Sequence, residues 1–327
     1  MNSPTPNPRA IAYALLSVAD FEAALELWEG RFGMQRQSHR RGADPGFSRL
    51  LGIGPEDIRE QALLVTPGLL QSGIHLIRFR EPGAAVRAGA APTDLVPKSV
   101  DIAVRDIFDR YAELEAAGFR FRSKVGRFET DGIVVHEVHL PGPDDVNLVF
   151  LEEVGNPAHV SDRGYGVAPQ IIAISPDNLR EKAFFETVLA LEETSYHRFG
   201  GPEVERTIGL PPGACLDVRI FGDAAFPFGR LEIVQYEGVK STNLYPRAVA
   251  PARGLLGVSF IVPQLAQIAA RARAFGAPFV EHGEQSTIFG TQLCATVYSP
   301  AGLRIDLITS DYAAHAGRET HFADRGA

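Results

Sequence analysis

The sequence predicts an α+β fold: four βαβββ modules in two tandem domains, each a cupped mixed sheet with helices outside. Two observations predict it. The first is an internal duplication. Asp20 and Asp177 stand 157 residues apart, as do His75 and Glu232, and Pro143 and Pro300, while Gly118 and Gly276 stand 158 apart. Chance does not hold four offsets within one residue, so the chain is a repeat of two halves. The second is that strand-like segments outnumber helical ones within each half, which points to mixed or antiparallel sheets.

The elements follow in order. Residues 12–17 read as a strand, and Asp20 caps a helix over 21–32 with apolar Phe21, Ala24, Leu25, Leu27 and Trp28 on one side. Gly33 ends it. A polar, glycine-rich region leads to a strand at 73–79, and 80–97 reads as a connector. The second module has a strand at 99–104, a helix opened by Asp106 and closed by Gly118, and strands at 133–139 and 146–151 around the turn 141–145. Residues 152–168 read as a linker. The third module starts with a strand at 170–175, then a helix capped by Asp177 with Phe184, Phe185, Val188 and Leu189 on its apolar side. A connector, 238–254, precedes a strand at 257–262, a helix at 264–274 ended by Gly276, the turn 299–302 and a closing strand at 303–308. The two domains are set at 10–153 and 168–310, and the polar tail after residue 309 reads as loosely held.

Composition excludes several classes. The chain has 327 residues, 45% of them apolar and 22% charged, enough for a substantial core. A net charge of −8 without a basic run argues against nucleic acid and anionic membranes. No apolar stretch approaches the roughly 20 residues of a membrane helix, and residues 1–9 lack the apolar core of a signal peptide. Cys215 and Cys294 make no disulfide framework, and a reducing cytoplasm is the expected compartment. There is no Gly-x-Gly-x-x-Gly after a strand, no phosphate loop and no serine elbow.

The most informative stretch is residues 229–236. Leu231, Ile233 and Gln235 should face one way, and Glu232, Val234 and Tyr236 the other. A carboxylate among apolar neighbours on an interior strand is costly unless a metal, a substrate or a hydrogen-bond network compensates it. His136 and His139 flank Glu137 on a strand but point to opposite faces, so they make a poor metal cluster and read as surface or core residues.

The run Leu15-Leu-Ser-Val-Ala-Asp20, the helix through Leu27-Trp28 to Phe32-Gly33, the pair Phe184-Phe185, and the endings after Pro143 and Pro300 resemble vicinal oxygen chelate proteins. That superfamily includes glyoxalase I, extradiol dioxygenases and bleomycin resistance proteins. The resemblance spans about residues 10 to 310 and implies paired modules curled into glyoxalase-like cups, with metal ligands at four strand positions. Matching positions are Tyr13, His75, Ser99 and Val149 in the first half, and Gln170, Glu232, Gly257 and Asp306 in the second. The resemblance therefore implies a degenerate first half and a second-half site. There Gln170, Glu232 and Asp306 would hold a divalent ion (Mg²⁺, Mn²⁺, Fe²⁺ or Zn²⁺) unless the cup is metal-free. Glu232 and Asp306 would do acid–base work, and Tyr236, His75 and Tyr13 would touch substrate. Modules that pair across the halves would mix the two sets.

The function so implied is metal-assisted isomerase, epimerase or lyase chemistry through an enolate-like intermediate on a small oxygenated substrate. A resistance-type binding protein and a ring-cleaving dioxygenase are the alternatives. Partners reduce to a small molecule, with the chain a monomer or a homodimer.

Overall fold

The computed structural model describes residues 9–309 apart from Asp131; the expected C-terminal tail, save Thr309 at the end of the last strand, lies outside the described residues. Module one comprises β1 (Ile11–Ser17), α1 (Phe21–Leu25), β2 (Gln35–Arg41), α2 (Pro45–Leu51), β3 (Ile58–Val65) and β4 (Gly73–Phe79). Module two comprises β5 (Pro97–Val104), α3 (Ile107–Ala116), β6 (Gly126–Thr130), β7 (Ile133–Pro141) and β8 (Asn147–Glu153). Module three comprises β9 (Tyr165–Ile174), α4 (Asn178–Phe184), β10 (Glu192–Gly200), α5 (Pro202–Ile208), β11 (Cys215–Gly222) and β12 (Arg230–Glu237). Module four comprises β13 (Gly254–Val262), α6 (Leu265–Phe275), β14 (Phe279–Thr287), β15 (Gly290–Tyr298) and β16 (Arg304–Thr309).

The caps read from the sequence hold. Asp20 accepts from Ala23 N and Asp177 from Arg180 N, each at 3.0 Å. Asp106 does not cap α3 with its side chain; the Glu152 carboxylate instead accepts from the backbone N–H groups of Asp106 (2.7 Å) and Ile107 (3.3 Å). The helices begun by α1 and α4 continue as wider turns over Glu26–Arg31 and Phe185–Leu189. The regions between the expected strands hold more structure than their polarity suggested. β2, Gln-Arg-Gln-Ser-His-Arg-Arg, is an edge strand with little apolar alternation, and α2 is a helix of only seven residues.

Two eight-stranded sheets result, ordered β14-β15-β16-β13-β1-β4-β3-β2 and β10-β11-β12-β9-β5-β8-β7-β6. β1 runs antiparallel to β13 and parallel to β4, and β5 runs antiparallel to β9 and parallel to β8. Module one thus pairs with module four, and module two with module three. The two sequence repeats are not the two sheets; each sheet takes one module from each half.

Strand alternation divides the core into three parts. One face of both sheets packs against α1, α3, α4 and α6 in a single cluster that includes Phe21, Trp28, Phe32, Phe184, Leu231 and Ile233. The other face of the first sheet holds Tyr13, Leu15, Ile77 and Phe79 with Phe47 and Leu50 of α2. The corresponding face of the second holds Val149, Ile172, Val218, Val234 and Tyr236 with Val204 and Ile208 of α5. The connectors 80–97 and 238–254 run side by side, with Leu95 N donating to Thr242 O and Leu244 N to Leu95 O, both at 2.9 Å. Among the described residues no helix is long and apolar enough to cross a membrane.

Candidate functional site

The cross-half pairing regroups the expected positions. Tyr13, His75, Gly257 and Asp306 belong to the first sheet, and Ser99, Val149, Gln170 and Glu232 to the second. Asp306 does not join Gln170 and Glu232, because β16 pairs with β13 and β15 and not with β9 or β12. His75 and Tyr13 likewise stand in the first sheet, apart from Tyr236.

In the first cup the expected polar side chains bond to protein groups. The Arg304 guanidinium donates to both carboxylate oxygens of Asp306 (2.8 and 3.1 Å) and to Leu50 O (2.6 Å), and Thr296 Oγ1 donates to Asp306 at 2.7 Å. The Asp306 carboxylate is thus already neutralised by a fixed cation. His75 bonds Gln61 Oε1 at 2.8 Å and lies between the rings of Phe47 (4.7 Å) and Phe289 (5.1 Å). Burial lowers its pKa to about 3, so the imidazole is neutral. The Tyr13 hydroxyl bonds Gln37 at 2.5 Å. Asp306, His75 and the Tyr13 hydroxyl each have a protein partner.

The second cup is different. Ser99 pairs in register with Asn147, Asp101 with Val149, His139 with Val149, Glu232 with Ile172, and Tyr236 with Leu216, which places these side chains on the apolar-lined face. Lys98 joins them through a bulge: Pro97 pairs with Ala173 but Ser99 with the adjacent Ile172, so Lys98 is the extra residue. Its Nζ donates to the Tyr236 hydroxyl at 2.6 Å. His139 is bonded to Glu137 at 2.8 Å and to Asn147 at 3.1 Å, and Asn147 donates to Ser99 Oγ at 2.9 Å. Three acceptor oxygens remain buried without a partner: Asp101 Oδ1, Asn147 Oδ1 and Gln170 Oε1. Arg87, from the first connector, is half-buried, and its Nη1 is buried without a partner as well. Arg122 lies at the rim, its chain against Gly209 after α5.

Burial governs the charges. It raises the Glu232 carboxyl to about 8, with the Glu137 charge adding and Lys98 opposing. Burial, then Glu232 and Glu137, pushes Asp101 well above the usual carboxylate range. Burial, then Arg87 and Arg122, pushes the Lys98 ammonium well below its ordinary value. Glu232 retains some accessible area on the cup face. Carboxyl groups held above their ordinary range and an ammonium held below its own thus share one face of the second sheet.

A divalent ion does not fit these donors. The four matching positions of the second cup supply a serine, a valine, an amide and one carboxylate, and two cations, Lys98 and Arg87, reach the same space. No group of three His, Cys, Asp or Glu side chains able to hold a metal occurs among the described residues. A depression of about 380 Å³ between Phe108, His136 and residues 152–158 shares no side chain with the cup. Of the residues expected from the sequence, Glu232 and Gln170 stand together in the second sheet. Sequence reasoning missed Lys98, whose orientation depends on the bulge, and it set aside Glu137 and His139, whose spacing of two already placed them on one face.

No family model and no curated protein matches the chain. Solved structures do. Glyoxalase I from Zea mays superposes with a TM-score of 0.67 at 13% identity, over 95% of this chain and 96% of that one. A single-residue variant of it gives 0.64 at 14%, over 92% of each chain. A Bacillus subtilis protein described as a candidate dioxygenase gives 0.57 at 11%, over 94% and 87%. At these identities the likeness speaks for the fold alone, and with the module order above it shows that the chain has the four-module glyoxalase-like fold.

Proposed function

We propose that the second cup is an acid–base site that moves a proton on a small oxygenated molecule through an enolate-like intermediate, in an isomerisation, epimerisation or lyase step. The observation that carries this reading is the placement of Glu232 and the Lys98–Tyr236 pair in one apolar-walled cup. Glu232 is the base for a proton on the carbon next to a carbonyl. Its raised pKa suits a group that takes and returns a proton near neutrality. Tyr236 accepts from Lys98, which leaves its own hydroxyl hydrogen to donate to the developing oxyanion. No step is routed through a metal, because the donor set does not fit one. Ring cleavage with two histidines and a carboxylate finds no support either, since His139 is held by Glu137 and Asn147.

The test is solvent deuterium exchange, followed by NMR, on a panel of α-hydroxy and α-keto compounds. Glu232→Gln should slow exchange on any responding member by about 10²-fold or more. A rate within threefold of the parent would refute the assignment of Glu232. Ligand binding without exchange on any member would favour the sequestering, non-catalytic reading.

A further inference from the structure

Among the described residues, Lys98 and Arg87 contrast with the enclosed cations that are held in ion pairs. Arg304 is locked onto Asp306, and Arg219 onto Asp217 and Glu193. Lys98 is buried, yet among the described residues its hydrogen bond goes to a neutral hydroxyl, and no carboxylate lies within ion-pair distance of its Nζ. Burial alone disfavours the charged form, and an anion beside Nζ would restore it; the ammonium would then have three donors, one of them spent on Tyr236. Arg87 donates to Ala91 O at 3.2 Å and keeps its buried Nη1 without a partner, again with no carboxylate at ion-pair distance. A buried cation without a carboxylate at ion-pair distance is costly; Lys98 Nζ stands 5.0 Å from the centre of the Tyr236 ring, the Glu232 and Glu137 charges act on it from farther off, and Arg87 acts on the same tyrosine. The bulge that turns Lys98 into the cup stands next to Ser99, one of the strand positions that match the superfamily's ligand positions.

We propose that this cup binds a small organic anion directly, its charged oxygen received by Lys98 Nζ with Arg87 as a second cation, and that no divalent ion mediates the contact. This deepens the acid–base reading by naming the substrate class, a carboxylate-bearing molecule, and shares with that reading only the location of the site. The chain supplies the positive charge from its own backbone bulge. Lys98 then holds and polarises the oxygen while Glu232 stands by for the proton.

Calorimetric titration of the full chain after dialysis against EDTA tests this, with malonate as the probe and malonamide as its neutral counterpart. Saturable binding of malonate and none of malonamide is expected, with Kd changed less than twofold by added Mg²⁺ or Mn²⁺. Lys98→Met and Arg87→Gln should each weaken malonate binding at least tenfold, and Arg87→Gln, at a connector, should keep the parent unfolding midpoint. Glu232→Gln should still bind. If Glu232→Gln retained turnover, the acid–base reading would fall while the anion site stood. Malonate binding that needs a divalent ion, undiminished binding by both cation variants, or no malonate binding at millimolar concentration would each overturn the proposal.

Discussion

Removing Asp306 should cost stability and leave the second cup untouched. The carboxylate is enclosed in the first sheet, 2% exposed, against an Arg304 side chain that is 10% exposed. It accepts two bonds from the guanidinium and one from Thr296. In Asp306→Ala the guanidinium stays buried without its counter-charge, and breaking a buried pair on one side costs about 3–5 kcal/mol. Leu50 O still accepts from Arg304 Nη2 at 2.6 Å, so the lower end applies, about 3 kcal/mol, or roughly a hundredfold in the unfolding equilibrium. Urea unfolding followed through the single, buried tryptophan, Trp28, reads this directly. The double change Arg304→Met with Asp306→Leu, which removes both charges, should recover most of the loss. A loss below about 1 kcal/mol in Asp306→Ala, the range of an ordinary exposed ion pair, would refute the description of this ion pair as enclosed. Malonate binding in the second cup should be unchanged.

Two further outcomes follow from the geometry. Glu181 is buried and accepts from Ala301 N at 2.6 Å and Ser299 Oγ at 3.2 Å. Burial outweighs these bonds and lifts its pKa from 4.5 to about 7. The unfolded chain ionises this group near 4.5 while the folded chain keeps its proton to about 7. Its favourable contribution is therefore complete below pH 4.5 and lost as pH rises to about 7, by up to about 3 kcal/mol. Glu181→Gln should flatten the pH dependence of the urea midpoint across that window, and an unchanged slope would contradict the shift. Gly46, in the first turn of α2, lies so close to Ser286 that an added Cβ would stand 2.2 Å from its carbonyl oxygen. Gly46→Ala should push α2 away from β14 and lower the thermal midpoint by several degrees, about 1–3 kcal/mol for overpacking; no change would mean that α2 yields freely.

The parts legible in the sequence were those in which apolar periodicity and caps act locally. The strand at 73–79 was placed at its observed bounds because its interior is almost wholly buried, and the Asp20 and Asp177 caps announced their helices. β2 and β10 escaped because edge strands bury little and read as polar loops. The pairing of modules was illegible for a different reason. Either pairing would bury the same faces of the same strands, so periodicity does not separate them. That ambiguity decided the site: Glu232 was recognised from its own strand, but Asp306 was assigned to the wrong sheet as its neighbour. Lys98 was hidden because a one-residue bulge reverses the facing that strict alternation assigns.

The pairing also sets an order of assembly. The strands of the second sheet lie within one uninterrupted stretch, residues 97–237, whereas those of the first come from residues 11–79 and 254–309. During synthesis the inner sheet has all its strands once residue 237 has emerged. Module one must wait, with the edge of β1 that β13 will cover still open, until the strands of residues 254–309 are made. Long-range pairing of this kind is slow, and open edges invite association with other chains. The ribosome therefore finishes the cup that carries Glu232 and Lys98 first, and the nascent chain is most vulnerable to aggregation at its oldest end.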